Sequence, residues 1–228
     1  MLFVLPRIIF SQKLEVKFFM RNDTKQGEAA KRPRGRPRAY EPEVALRQAA
    51  DAFWKGGYSG TSLDDITAAT GMNRPSLRAA FGDKHTMYLK ALTDYWDLKF
   101  AVMHETLASD RSLKDTLMSV YDAALSIYFS GNGHARGCFV VGTAITEAVN
   151  DPEVQSIVMD GLRMLDADFE ARLKMARDAG ELKQDADPGA LAVLASATMH
   201  TIAIRARAGV PRKDLRKLAR KAVSVICG

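Results

Sequence analysis

Cysteine is scarce in this chain: Cys138 and Cys227 are its two thiols, far apart and in no CxxC pair. That excludes a disulfide framework and a cysteine-rich metal site, and it fits a reducing cytoplasm. The four histidines (His85, His104, His134, His200) include no pair at i,i+4 and no HExxH, so no metal is expected. No glycine-rich phosphate loop and no GxSxG elbow are present. With those parts missing, neither an enzymatic activity nor a cofactor is expected. No stretch sustains the polar–apolar alternation of a half-buried strand. Long apolar runs are lacking too. The opening Met-Leu-Phe-Val-Leu-Pro-Arg-Ile-Ile-Phe is split by Pro6-Arg7, has no basic start and meets no small-residue cleavage site. It is far shorter than the ~20 residues that cross a bilayer. No membrane partner is expected, and Met20 is the expected true start, with residues 1–19 lying ahead of it.

What the chain does have is an uneven charge. Its net +6 resides at the front, because residues 1–40 hold ten Lys/Arg against three Asp/Glu, leaving the body nearly neutral. A basic arm ahead of a neutral body points to a polyanion, nucleic acid before membrane. Residues 20–40 have almost no aliphatic periodicity and are expected to be disordered in the free protein. Within them Pro33-Arg34-Gly35-Arg36-Pro37 resembles the core of an AT-hook. Arg34 and Arg36 could enter a narrow A·T minor groove, whose enhanced negative potential attracts arginine. They could equally be a solvated tail that adds phosphate attraction alone.

The organising stretch is Ser62–Phe81. Ser62 and Asp65 are spaced as a capping box, and Ile66 and Ala69 form an inward face. Gly71 stands where a helix end needs positive φ. A second helix opens at Asn73 or Arg74 and accepts Pro75 in its first turn. Leu77 and Phe81 point inward, which leaves Arg74, Ser76 and Arg78 outward. A helix, a glycine turn and a basic second helix form the geometry that enters a DNA major groove.

Helical periodicity continues on both sides. Pro42–Trp54 carries an apolar stripe ending at Gly56-Gly57, and a long helix is expected from about Lys84 to about Leu107. A helix follows over Leu113–Tyr128, then a short apolar segment over Cys138–Val149. Asp151-Pro152 and Asp187-Pro188 each read as an N-cap followed by a first-turn proline. Gly209 and Pro211 precede the last helix. The chain therefore reads as all-α, with about nine helices: residues 1–38 as an arm, 39–98 as a three-helix helix-turn-helix domain, and 99–228 as a helical C-terminal domain.

Arg34-Gly35-Arg36-Pro37-Arg38, Phe53-Trp54 with Gly57-Tyr58, Thr61–Ile66 and Arg74–Lys84 together resemble the N-terminal domain of TetR/AcrR-type transcriptional regulators. Arg136-Gly137-Cys138 and Arg205–Gly209 are similar to one subgroup of that family. The resemblance implies an Ω-shaped homodimer whose last two helices pair with their counterparts in a four-helix interface. It also implies a small-molecule effector in the C-terminal core that alters the spacing of the two recognition helices. The expected partners are thus double-stranded DNA bearing a palindromic operator, a second copy of the chain and an unidentified small molecule. The expected location is the cytoplasm, at the nucleoid, with repression as the family's usual mode. The alternative is an architectural AT-hook protein without a discrete operator.

The candidate DNA contacts are Arg34, Arg36, Thr61, Ser62, Arg74, Pro75, Ser76, Arg78 and Lys84. Lys84 would add its charge to the N-terminal amides of its helix, and Ser62 is also a candidate cap. The family usually has Tyr where this chain has Arg78, and arginine can bind a phosphate or read guanine O6/N7. Thr67 replaces a frequent Ala, a change expected to leave the turn intact. Trp96, Met103, Tyr121, Cys138, Met164 and Met199 are candidates to line an effector pocket or to be plain core. Cys138 is either a small buried hydrophobe or, with Arg136 as its nearby cation, a sensing thiol. The candidate dimer residues are Leu194, Thr198, Ile202, Leu215, Leu218 and Ala222.

Overall fold

The computed structural model describes residues 41–131 and 135–228. The arm, with Arg34, Arg36 and the expected start at Met20, lies outside them. Among the described residues the chain is helical throughout, with no strand. Its helices are α1 (Pro42–Gly56), α2 (Leu63–Thr70), α3 (Arg74–Phe81), α4 (Lys84–Leu107), α5 (Leu113–Tyr128), α6 (Ile145–Glu147), α7 (Pro152–Asp178), α8 (Pro188–Arg207) and α9 (Arg212–Cys227). A π-helical turn, Val140–Ala144, leads directly into α6.

The helix ends follow from local chemistry. Ser62 accepts the Asp65 N–H while the Asp65 carboxylate accepts the Ser62 N–H, closing the capping box at the start of α2. The Ser62 hydroxyl and then the Ser62 N–H, both donating to that carboxylate, lower the Asp65 pKa. Gly71 stops α2 at φ 67°, a left-handed conformation open to glycine. Asn73, Asp83, Asp151 and Asp187 cap α3, α4, α7 and α8 through their side chains. Pro75, Pro152 and Pro188 occupy first turns, where an N–H would have had no intrahelical partner. Thr67 returns its hydroxyl to the Asp64 carbonyl at 2.8 Å, so the polar substitution is satisfied locally.

Phe53, Ile66, Leu77, Phe81 and Met87 are buried together as the core of the N-terminal helices. Ala69 is a correction to the sequence reading: it is exposed, and Ile66 is the one buried residue of α2. Met72, just beyond the glycine, is buried and supplies apolar volume at that end of the helix instead. The long α4 then runs into the C-terminal helices, where α7 packs on α8 and α9 lies between α5 and α8. The two regions meet through aromatic rings packed edge-on and tilted. Trp54 of α1 lies edge-on to Tyr95 of α4, centroids 5.3 Å apart, and tilted on Phe139 at 5.4 Å. Tyr88 lies edge-on to Phe139 at 6.0 Å.

Candidate nucleic-acid interface

α3 presents its polar side to solvent because Leu77 and Phe81 hold the opposite side in the core. Arg74, Pro75 and Arg78 are exposed, and Ser76 is half-buried with its N–H held by the Asn73 cap at 2.9 Å. Arg78 has no ion-pair partner among the described residues, so its guanidinium is available. Arg74 is already engaged: it forks onto both Asp64 oxygens of α2, each 2.8 Å away. Both side chains are largely exposed, so this pair contributes little to stability and can open for a phosphate.

Two of the expected contacts are otherwise occupied. Thr61 is 3% exposed. Its hydroxyl reaches back to the Gly57 and Ala52 carbonyls at 2.6 and 3.3 Å, so its side chain closes the end of α1 and does not face a phosphate. Ser62 is exposed, but its hydroxyl donates to Asp65 at 2.6 Å. Lys84, the first residue of α4, rests its ammonium 4.4 Å from the Tyr58 ring centroid, beside the helix N-terminus.

This surface is fastened to the C-terminal helices at several points. His85 of α4 bonds Asp151, the cap of α7, at 2.7 Å. Burial would raise the Asp151 pKa, but the Val154 N–H, His85 and the Glu153 N–H hold it below the ordinary value. Glu153 lies 3.8 Å from the other His85 nitrogen, which puts three metal-ligand-type groups together. Asp151 is committed to capping, and the trio links α4 to the start of α7. Ser59 donates to Glu147 at 3.0 Å, and the Tyr88 and Thr143 hydroxyls meet at 2.9 Å.

Met103 and Met199 line a cavity between α4, α5 and α8, together with Tyr95, Lys99, Val102 and Tyr128. Cys138, 2% exposed, accepts the Tyr95 hydroxyl at 3.3 Å just outside that wall. Trp96 stacks on Phe100 rather than facing the cavity. Three expectations need correction. Met164 is about half exposed on the outer side of α7, where it cannot line the cavity. Tyr121 is fully buried and donates to the Ala195 carbonyl at 3.0 Å, a tie between α5 and α8. Arg136 is not the cation of Cys138, because its guanidinium pairs with Asp51 and Ser130 and covers the Trp54 ring.

The expected dimer residues also divide. Ile202 and Leu215 are wholly buried within the chain and cannot meet a partner. Leu218, Ala222 and Thr198 are half-buried, and Leu194 is exposed. The apolar stripe of α9, which includes Ala219 and Val223, is spent on the chain's own core. Exposed apolar side chains lie on α7 (Met159, Met164, Met175), α8 (Val193, Leu194, Ile204) and the other side of α9 (Val225). Among the described helices, α8 alone has the length and apolarity of a membrane span. Its Ala195, Met199 and Ile202 side is buried inside the chain while Leu194 and Ile204 stand outside, the pattern of a helix packed on two sides.

A capped α2, a left-handed glycine turn and an α3 with an exposed arginine form a helix-turn-helix reader. Residues 45–91 match the family described as "Bacterial regulatory proteins, tetR family". Residues 114–222 match "Tetracyclin repressor-like, C-terminal domain". The chain is 30% identical over 159 residues to the regulator YezE of Bacillus subtilis, covering 69% of this chain and 81% of that one. The chain belongs to the TetR family. It is similar also to the transcriptional repressor ComR of Escherichia coli, 27% identical over 197 residues, with 86% of this chain and 93% of ComR covered. Among solved structures it resembles a cysteine mutant of the TetR family regulator CifR complexed with 26 bp double-strand operator DNA. That match has 28% identity and a TM-score of 0.72 over 83% of this chain and 98% of that one. This TetR-family chain is a sequence-specific DNA-binding transcription regulator, and its named relatives are regulators rather than enzymes.

Lys99 and Tyr128 are the site residues that the sequence reading missed. The signal was present: Lys99 sits four residues after Tyr95 and four before Met103, a lone charge inside the apolar stripe of α4.

Proposed function

We propose that this protein is a homodimeric repressor that sits on a palindromic operator and is released when a small molecule enters the cavity between α4, α5 and α8. The observation that carries the reading is the span of α4. Its first residue, Lys84, stands beside the DNA-reading helices, and its Lys99 and Met103 wall the cavity. A rigid helix that shifts at the cavity must shift at Lys84 as well. Residues 39–98 read the DNA in this scheme, with Arg74, Pro75, Ser76, Arg78 and Lys84 at the groove, Ser62 at its edge and the arm of 1–38 adding attraction.

The dimer forms through the last two helices, α8 and α9, where Leu194, Ile204 and Val225 stand exposed and Thr198, Leu218 and Ala222 are half-buried. Two α3 helices then fall about 34–36 Å apart, one helical turn of DNA. The protein acts in the cytoplasm at the nucleoid, and no catalytic step is involved. The operator complex of CifR and the repressor name of ComR support the reading.

Footprinting on genomic fragments, with sedimentation of the same complex, tests it. A short palindrome protected by a dimer is the expected result. Broad protection of A·T-rich DNA without a discrete site would overturn it in favour of an architectural AT-hook protein.

A further inference from the structure

We propose that the cavity between α4, α5 and α8 receives a small organic anion, whose carboxylate pairs with Lys99 Nζ. The inference rests on the effector-responsive reading above and adds the effector's chemical class.

Lys99 is 4% exposed, and its ammonium has no hydrogen-bond partner. No carboxylate among the described residues lies within ion-pair distance of it. The ammonium lies against the Trp96 ring, 4.6 Å from nitrogen to centroid. A ring face attracts a cation but does not neutralise it. A buried ammonium in this state is unfavourable unless something supplies the missing charge. Burial accordingly pushes the Lys99 pKa down. The nearby His200 is held neutral, its pKa lowered to about 4 by burial and by Lys99, and neither of its two forms is an anion that could balance the ammonium.

A second group points to the same place. Tyr128 of α5 lines the same cavity, and its buried hydroxyl also lacks a partner. Buried polar atoms are normally satisfied, and two orphans on one cavity mark a place for a polar ligand head. The remaining wall is apolar, with Val102, Ile127 and the adaptable Met103 and Met199. One cation, one hydroxyl and a flexible apolar wall match an aliphatic or aryl carboxylate of a few carbons. An amine would be repelled, and a neutral amide would leave the ammonium uncompensated.

The cavity measures about 10 Å³ as it stands, room for about one water. An incoming carboxylate must therefore part α4 from α5. That displacement acts on the helix that begins at Lys84.

The test is titration calorimetry on the full chain, with hexanoate and benzoate against hexanamide and benzamide. Wild type is expected to bind the acids at least about tenfold more tightly than the amides. Lys99→Met should abolish that preference while raising the thermal midpoint, because an unpaired buried charge has gone; the higher midpoint also shows that the variant folds. Equal affinity for acid and amide in wild type, a preference that survives Lys99→Met, or no binding of any probe would each overturn the proposal. Release from DNA is read separately. If hexanoate binds through Lys99 and the protein stays on its DNA, the anion site stands and the release mechanism falls. If compounds that bind wild type and Lys99→Met equally release the DNA, the release mechanism stands and the anion site falls.

Discussion

The indole N–H of Trp54 donates to the Arg136 carbonyl oxygen at 3.2 Å, while the Arg136 guanidinium lies 4.2 Å above the same indole. Trp54 closes α1, and Arg136 belongs to the segment that follows α5, so this one pair binds the DNA-reading helices to the C-terminal ones. Asp51, one turn earlier in α1, pairs with the guanidinium. Arg207, at the end of α8, donates to the carbonyls of both Trp54 and Arg136, at 3.3 and 3.2 Å.

Removing the guanidinium should loosen this junction. Arg136→Ala is expected to cost about 1–3 kcal/mol, from a partly buried cation–π contact and an ion pair lost together. Arg136→Lys keeps the charge but not the planar fork, and should recover less than half. Urea denaturation of the three proteins measures both effects. Equal midpoints would show that the pair is ornamental.

Gly161 of α7 marks a second close approach. A Cβ there would lie 2.1 Å from Trp96 Cε2, and the indole is backed by Phe100, stacked at 5.1 Å. Gly161→Ala gains helix propensity but must displace a packed ring, and should destabilise by about 2–3 kcal/mol. Trp96→Phe in the same chain vacates that space and should restore more than half of the loss. A double-mutant cycle of unfolding free energies checks the coupling.

The reader of DNA was legible in the sequence because its determinants are local. Ser62 with Asp65, Gly71, and Asn73 with Pro75 act within one helical turn, and local chemistry leaves few alternatives for such a stretch. Thr61 shows the limit. Its exposure depended on whether α1 ended close enough for its hydroxyl to reach Gly57. Ile202 and Leu215, two of the expected dimer residues, were misplaced for a related reason. The stripe of Leu215 and Ala219 in α9 is as apolar as an interface, and only the tertiary packing shows that the chain's own helices cover it. Lys99 was passed over because a charge inside an apolar stripe looks like an irregularity until its missing partner is visible.

Arg78 should read a base or a phosphate, and the two outcomes separate cleanly. If it reads a base, Arg78→Ala should cost about 1–3 kcal/mol in binding and relax preference at one operator position. If it holds a phosphate, the loss is uniform across operator variants and the salt dependence becomes shallower. Fluorescence anisotropy over a set of singly substituted operators distinguishes them. Unchanged affinity for every variant would place Arg78 outside the interface.

If Arg74 takes a DNA phosphate, Asp64 must compete with it, because the carboxylate already holds the guanidinium. Asp64→Asn should therefore tighten binding to operator and to unrelated DNA alike, with the thermal midpoint nearly unchanged. The measurement is a pair of binding isotherms at fixed salt. Weaker binding would mean that Asp64 positions Arg74 for the groove instead of withholding it.

His200 should impose an acid limit on stability. Burial first, and then the charge of Lys99, lower its pKa from the ordinary 6.5 to about 4, with Asp166 opposing. Between those values the unfolded chain takes up a proton that the folded chain refuses. The stabilisation is thus fully present above about pH 6.5, falls as the pH drops towards 4, and is exhausted below it. Allowing for the partial exposure of the ring, the loss over that window is about 2 kcal/mol. His200→Gln carries no such proton linkage, so its unfolding free energy should fall less steeply than that of wild type between pH 6.5 and 4. Parallel pH profiles for the two proteins would mean that His200 protonates normally in the fold and that Lys99 lies too far away to oppose it.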